Sequence, residues 1–427
     1  MRSAIRLLLL IAVAVSARLV LAGDPAEPIE MIAVEGEGAK YWPRWRGPSG
    51  QGHVTGTTYS DAWSDTQGVR WRTAVPGLGH SSPIVWRDRI FLTTATDDGA
   101  KVWMLAYNRA DGKLLWQTAV PSSGVEHVYA KNSRASATPT TDGQLIYASF
   151  GTHGLAAFDF SGKIVWHRQL GQLRNYHGSA GSPVLYKDRI FLYQDHDGSA
   201  NLRSFVAAFD ARTGKDLWWK DRVETVGWGT PIVIRAGDHD ELIVSSQRRV
   251  YGYNPDTGGE LWSVRGNTFE VIPTPVVGHG LVFCSSGRAG PTFAIRPGGK
   301  GDVTATHVAW SSPRGSPFVP SGIIHGDLLY LVNDMQSILT VFEASTGTPV
   351  YQDRLGEPRR EGFSSSPVAV GSKLFFTNDD GETFVVEAGR SFKLIRTNRL
   401  SARVLASPAL VDGVWYWRTD RELMAIQ

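Results

Sequence analysis

The chain has 427 residues, including 46 Gly, 22 Pro and 15 Trp; 20% of residues are charged and the formal net charge is +3. Many aromatic residues with little charge exclude a disordered chain, and the lack of Ala, Glu, Lys and Leu heptads excludes a coiled coil. Frequent turn residues between short branched and aromatic runs fit an all-β chain.

The N-terminus carries Arg2 and Arg6, then nine unbroken apolar residues from Leu7 to Val15, then small residues. This is the layout of a secretory signal peptide over residues 1–22, with cuts after Ala17 or Ala22 competing. An uncleaved anchor is the alternative, although nine residues fall short of the roughly 20 that span a bilayer. Removing residues 1–22 takes away Arg2, Arg6 and Arg18 and no acid, leaving 41 basic residues against 41 acidic. The remainder has no overall basic field for nucleic acid. A periplasmic or secreted protein without a transmembrane span is expected. Cys284 is the single cysteine, so no internal disulfide forms; within Leu281-Val282-Phe283-Cys284 it reads as a small buried strand residue.

Residues 23–67 form a leader, and the rest of the chain repeats. A small-polar-Pro step opens an apolar strand at Ser82-Pro83, Thr138-Pro139, Ser182-Pro183, Thr230-Pro231, Thr274-Pro275, Phe318-Val319-Pro320, Ser366-Pro367 and Ser407-Pro408. Pro is tolerated at the first residue of a strand and biases its predecessor to extended backbone. A second marker joins an acid or amide, a Gly turn and Trp: Asn108 to Gly112 and Trp116, Asp159 to Gly162 and Trp166, Asp210 to Gly214 and Trp218, Asn254 to Gly258 and Trp262. Glu343 to Gly347 and Tyr351 is a worn copy, and Trp310 and Ile395 take the Trp place in degenerate ones. Asp or Asn bonds the turn backbone and Gly supplies positive φ.

Eight units of about 45 residues, each with four short strands, define an eight-bladed β-propeller over residues 68–427. The last unit lacks its Gly-turn-Trp strand, and the segment around Trp71 supplies it. The final blade is therefore expected to close with an N-terminal strand, hiding the sheet edges. The recurrent Trp is expected to lie flat between neighbouring blades.

These repeats resemble the quinoprotein-type (PQQ-like repeat) β-propeller family, best seen in Ala208-Phe209-Asp210-Ala211-Arg212-Thr213-Gly214-Lys215-Asp216-Leu217-Trp218. The family includes pyrroloquinoline quinone (PQQ) dehydrogenases and non-enzymatic propellers such as the lipoprotein of the outer-membrane assembly machine. Three stretches, Trp42-Pro43-Arg44-Trp45-Arg46-Gly47-Pro48, residues 132–139 and residues 150–155, are similar to segments of exported bacterial propellers. The dehydrogenases hold their quinone against a Trp and commonly a ring of adjacent cysteines, with Ca²⁺ ligands and a carboxylate base. One Cys cannot make that ring, and no matching Glu-Asn-Asp set aligns.

Residues just before each innermost strand reach the mouth of the channel. There His80, Lys131, Asn132, Arg134, Asn175, Tyr176, His177, Trp228, Glu270, Phe318, Phe363 and Arg403 converge as funnel-mouth ligand candidates, framed by a longer loop at 121–135. Asp195-His196-Asp197-Gly198 and Asn378-Asp379-Asp380-Gly381 read as solvated hairpin tips, not Ca²⁺ loops. No catalytic residue, resident cofactor or metal site is expected. The leading expectation is a recognition or scaffold platform for an envelope or extracellular protein. A PQQ- and Ca²⁺-dependent dehydrogenase is the alternative. A carbohydrate-binding propeller with Trp42 and Trp45 as stacking faces is the third reading; the other reading of this pair is packing of the leader onto the ring.

Overall fold

The computed structural model describes residues 29–54, 56, 58–122, 124–198, 201–288, 290–358 and 362–427; the signal peptide expected over residues 1–22 lies outside them. Eight sheets follow one another along the chain, each a four-stranded antiparallel blade, two of which gain extra strands. Blade one runs from Ile84–Trp86 through Arg89–Ala95 and Val102–Asn108 to Leu114–Ala119. Its first strand is wholly buried, and its outermost alternates towards solvent, as a sheet packed on two faces inside and one outside should.

The last blade closes as the repeats imply. Val69–Ala74 pairs antiparallel with Glu422–Ile426, with Trp71 opposite Ala425. Without it the C-terminal strand would present an unpaired edge.

The second marker explains how blades dock. In five repeats the Gly sits at positive φ beneath the Trp of the preceding unit: a Cβ at Gly112, Gly162, Gly214, Gly258 or Gly347 would lie 2.4–2.7 Å from the ring of Trp71, Trp116, Trp166, Trp218 or Trp310. Each of these indoles also donates to a carbonyl of the next blade's turn, such as Trp166 Nε1 to Ala211 O at 2.9 Å and Trp218 Nε1 to Pro255 O at 3.0 Å. Trp262 departs from this expectation. It folds over Gly252 in its own blade and donates to buried Glu241 at 2.7 Å. Blade five has no Gly turn to receive it; Gly301–Asp302 instead pairs parallel with Trp262 and Ser263.

The first marker builds a closed ring. Ser82 N–H donates to Thr138 Oγ1, Thr138 to Ser182, Ser182 to Thr230 and Thr230 to Thr274. The series continues from Thr274 to Ser321, Ser321 to Ser366, Ser366 to Ser407, and Ser407 back to Ser82, all at 2.9–3.2 Å. Blade six corrects the alignment on Pro320. The hydroxyl is Ser321, and Gly322 stands where the other blades have Pro. A Cβ at Gly322 would come within 2.6 Å of Leu331 Cδ2.

Residues 29–54 run into the channel from the end opposite the mouth. Ile29–Met31 adds a strand inside blade four. Trp42 exchanges backbone bonds with Val85 of blade one, and Pro43 O accepts from Thr141 of blade two. Arg46 donates to Gly322 O of blade six, Gln51 Oε1 accepts from Val277 of blade five, and His53–Val54 pairs with blade seven. This stretch therefore plugs the axis. Beyond it, buried Trp63 packs on Phe375, Trp415 and Trp417.

Candidate functional site

Above the plug lies a cavity of about 200 Å³. All eight ring hydroxyls line it, with Trp45 from the plug and, towards the mouth, His80, Tyr129, Lys131, Asn132, His177, Trp228, Arg288 and Phe318. Inner strands start at the mouth and descend, so the ring lies below the mouth loops and Trp45 closes the cavity from beneath.

The sequence candidates divide here. His80, Lys131, Asn132, His177, Trp228 and Phe318 line the cavity. His177 is enclosed by the rings of Tyr129, Tyr176 and Trp228, with centroids at 4.9, 4.5 and 5.2 Å. Its Nε2 meets Glu270 Oε1 at 3.0 Å, and Glu270 Oε2 accepts from Arg288 Nε at 2.6 Å. Glu270 is buried and holds φ +64, and it stands behind the wall. Burial, then the Glu270 charge, pushes the Tyr176 hydroxyl up to about 12. Asn132 donates to the carbonyls of His177 and Ser179 and accepts from Ser136, so it holds two mouth loops together.

Four candidates lie elsewhere. Asn175 is buried and donates to Asp195 O. Arg134 turns outward, donating to the carbonyls of Glu126 and Asp97, each at 3.0 Å. Phe363 is 2% exposed in the apolar core between blades six and seven. Arg403 is exposed at the rim and acts through its charge. Sequence position fixes which loop a residue occupies; it does not fix which way the side chain turns.

The two acidic loops are not solvated tips. Asp195 is 1% exposed, with Oδ2 3.6 Å from buried Arg222, and burial pushes its carboxyl up to about 6. His196 Nδ1 accepts from Arg174 N–H. Asp379 is buried against Lys131 Nζ at 2.9 Å, and burial raises its pKa. Both loops lie on the mouth side; Arg174 and Asn175 pack on residues 195–197, and Lys131 packs on Asp379. Glu126 holds its loop in place, accepting from Thr152 and from Ser179.

His80 is held neutral. Burial, then the charges of Arg418, Arg403 and Lys131, lowers its pKa to about 3. Sequence reasoning missed Tyr129, Arg288 and the hydroxyl ring. The ring was legible as hydroxyls preceding each inner strand, but the Pro beside them drew the alignment. Trp42 is 1% exposed and offers no stacking face, whereas Trp45 lines the cavity. Cys284 is fully buried and its thiol pKa is raised by burial.

The lining does not suit a divalent cation. None of the described residues around the cavity is acidic, and no cluster of three His, Cys, Asp or Glu able to hold a metal exists among the described residues. Hard cations need carboxylate and carbonyl oxygens, and this wall presents N–H and O–H donors. The Ca²⁺ that accompanies PQQ in the dehydrogenases therefore finds no matching donor set here. No described helix is long and apolar enough to cross a membrane.

Fold and cavity together define an eight-bladed propeller with a blind axial funnel. The chain belongs to the PQQ-like repeat family described as outer membrane protein assembly factor BamB, which matches residues 44–201 and 202–427. It is 23% identical over 235 residues to the tetrathionate hydrolase of Acidithiobacillus ferrooxidans, covering 51% of this chain and 43% of that protein. It is 29% identical over 220 residues to the dehydrogenase subunit of a quinone alcohol dehydrogenase of Gluconobacter oxydans, covering 47% of this chain and 26% of that one. The chain thus matches less than half the length of either relative. The crystal structure of BamB from Moraxella catarrhalis superposes with a TM-score of 0.57 at 14% identity, covering 83% of this chain and 96% of that one. That likeness shows a shared fold.

Proposed function

We propose that this protein is an exported envelope propeller that serves as a recognition platform for a protein partner. One observation carries the reading: the mouth face bears a broken rim of exposed apolar side chains on the loops between blades. Val223 is 81% exposed and Phe269 51%, with Leu78, Val125 and Tyr129 also exposed. Exposed apolar groups around a concave mouth mark an interaction surface; others, such as Leu115, Leu217 and Trp219, lie on the outermost strands. The family description, an assembly factor, supports the same reading.

The test compares cross-linked pull-downs from envelope extract using wild type and a Val223→Asp/Phe269→Asp double variant that keeps the wild-type circular dichroism. A partner captured by wild type and lost from the variant supports the proposal. Identical capture profiles, or no capture by wild type, refute it. An absorbance shift with PQQ and Ca²⁺, followed by dye reduction with an alcohol, would instead establish the dehydrogenase reading.

A further inference from the structure

The outermost strand of a blade ends its sheet, and its outer backbone groups are a template for another strand. In blade four the chain itself covers that edge, with Gly301–Asp302 lying parallel to Trp262 and Ser263. In blade three the outermost strand, Asp216–Arg222, pairs on its inner side with Ser204–Asp210 and is the last of its sheet. It carries two large apolar side chains into solvent, Leu217 at 45% and Trp219 at 37% exposure. The Phe205 ring stacks on Trp219 at 3.8 Å, so the indole is held in place.

The order of residues sets this edge apart. It reads Lys215-Asp216-Leu217-Trp218-Trp219-Lys220-Asp221. Laid antiparallel on a second copy of itself about Trp218, Lys215 meets Asp221, Asp216 meets Lys220 and Leu217 meets Trp219. Two-fold symmetry makes each pair twice, so opposite charges face each other at both ends and apolar groups meet in the middle. All six of these residues are exposed. A register shifted by one residue opposes Asp216 to Asp221 in one direction and Lys215 to Lys220 in the other, so the charges select a single alignment.

The other edges lack this match. The outermost strands of blades two, seven and eight carry only basic charges, with Arg168, Arg396 and Arg72 among them. Like charges would face each other in any self-pairing there. Those of blades one and five carry no charge to fix a register, and that of blade six opens with Pro349, which has no N–H to give. A bulge at Leu217 is shared with the outer strands of blades one and two and does not distinguish blade three. Asp216 and Asp221 bond Arg168 and Arg203 of their own chain at 2.8 and 2.9 Å. Such exposed pairs hold weakly, and each carboxylate keeps capacity to accept from a lysine of the second copy.

We propose that this chain forms a two-fold dimer by antiparallel pairing of its blade-three edges, residues 215–221 on residues 215–221. The proposal goes beyond recognition of a protein partner and does not depend on it. Outermost strands run from the plugged end towards the mouth, so antiparallel pairing turns the two funnels to opposite faces. The dimer would present one open mouth on each side.

Sedimentation velocity of the full chain from about 1 to 100 µM tests this. Wild type should show a concentration-dependent dimer; a monomer throughout overturns the proposal. Asp216→Lys and Lys220→Asp each oppose like charges twice and should weaken the dimer at least about tenfold. The double variant Asp216→Lys/Lys220→Asp exchanges the charges and should restore it. An equimolar mixture of the two single variants should also dimerise, because the pairs between them are again opposite. A dimer unaffected by either single reversal overturns pairing through this edge, as does a failure of both the double variant and the mixture to recover it. Both positions are exposed, and circular dichroism checks that every variant keeps the fold.

Discussion

Replacing Ser407 by Ala removes one acceptor from the hydroxyl ring. Ser366 N–H, which donates to Ser407 Oγ at 2.9 Å, is then left without its partner next to a side chain only 6% exposed. Leaving a buried donor unsatisfied costs about 1–3 kcal/mol. Unfolding entropy scales at roughly 2.1 cal/mol/K per residue, or about 0.8 kcal/mol/K for a chain of ~400 residues. The variant should therefore melt about 1–4 °C below wild type in scanning calorimetry, with a matching fall in urea midpoint. Ser407→Thr restores an acceptor of the kind that Thr138, Thr230 and Thr274 already supply, and should recover most of the loss. A ring has no terminal bond, so Ser82→Ala, which breaks the bond joining the last blade to the first, should cost about the same as Ser407→Ala. Equal stability of the Ala and Thr variants would refute the claim that these hydroxyls bind blades together. A much larger loss at Ser82 than at Ser407 would show that closure depends on the seam.

Gly214→Ala places a Cβ 2.6 Å from the Trp166 ring at φ +68, whereas Gly171→Ala at φ +88 meets nothing within 4 Å. Backbone strain is shared, of order 1–3 kcal/mol, so the extra loss at Gly214 in urea titrations measures displacement of the indole from its inter-blade seat. A chain lacking residues 1–74 loses the strand paired to Glu422–Ile426; light scattering should find it self-associated through the opened edge. His80 gives a pH signature. Its folded pKa is lowered to about 3 while the unfolded chain titrates near the ordinary 6.5, so only the unfolded state gains a proton as pH falls below about 6.5. The stability that neutral His80 contributes is complete above that pH and drains away as pH approaches 3. At pH 5 the loss is up to about 2 kcal/mol. His80→Gln should lose less stability than wild type between pH 7 and pH 5, read from urea midpoints; parallel curves would count against a buried neutral imidazole.

The architecture was legible because two markers each do a local and a global job. The Gly before Trp116 or Trp166 shapes a turn and, in the same place, clears space for the neighbouring blade's indole. Local turn chemistry therefore predicted long-range packing. The reasoning failed where only one job remained. Trp262 keeps the turn pattern upstream of it, but the receiving turn belongs to the next blade, and that blade has replaced it with residues 297–303. Pro320 likewise carried the Pro signal on the wrong side of the hydroxyl, and the ring shows which of the two the fold uses at every blade: a hydroxyl occurs eight times, Pro directly after it seven.

The site was legible to the level of the loop and no further, and the reason is electrostatic. Acid-rich turns such as 195–198 and 378–381 look solvated by composition. Burial of Asp195 and Asp379 is sustained by Arg222 and Lys131, which are 27 and 248 residues away in the chain. No local pattern encodes such a partner. The same long-range pairing sets what the funnel offers. Lys131 draws Asp379 back from the wall and Arg288 draws Glu270, so the acids among the mouth loops neutralise from behind while the cations face the axis. With residues 29–54 filling the opposite end, that axis opens on the mouth side, where the apolar rim lies. A protein seated on the rim would cover the route into the cavity.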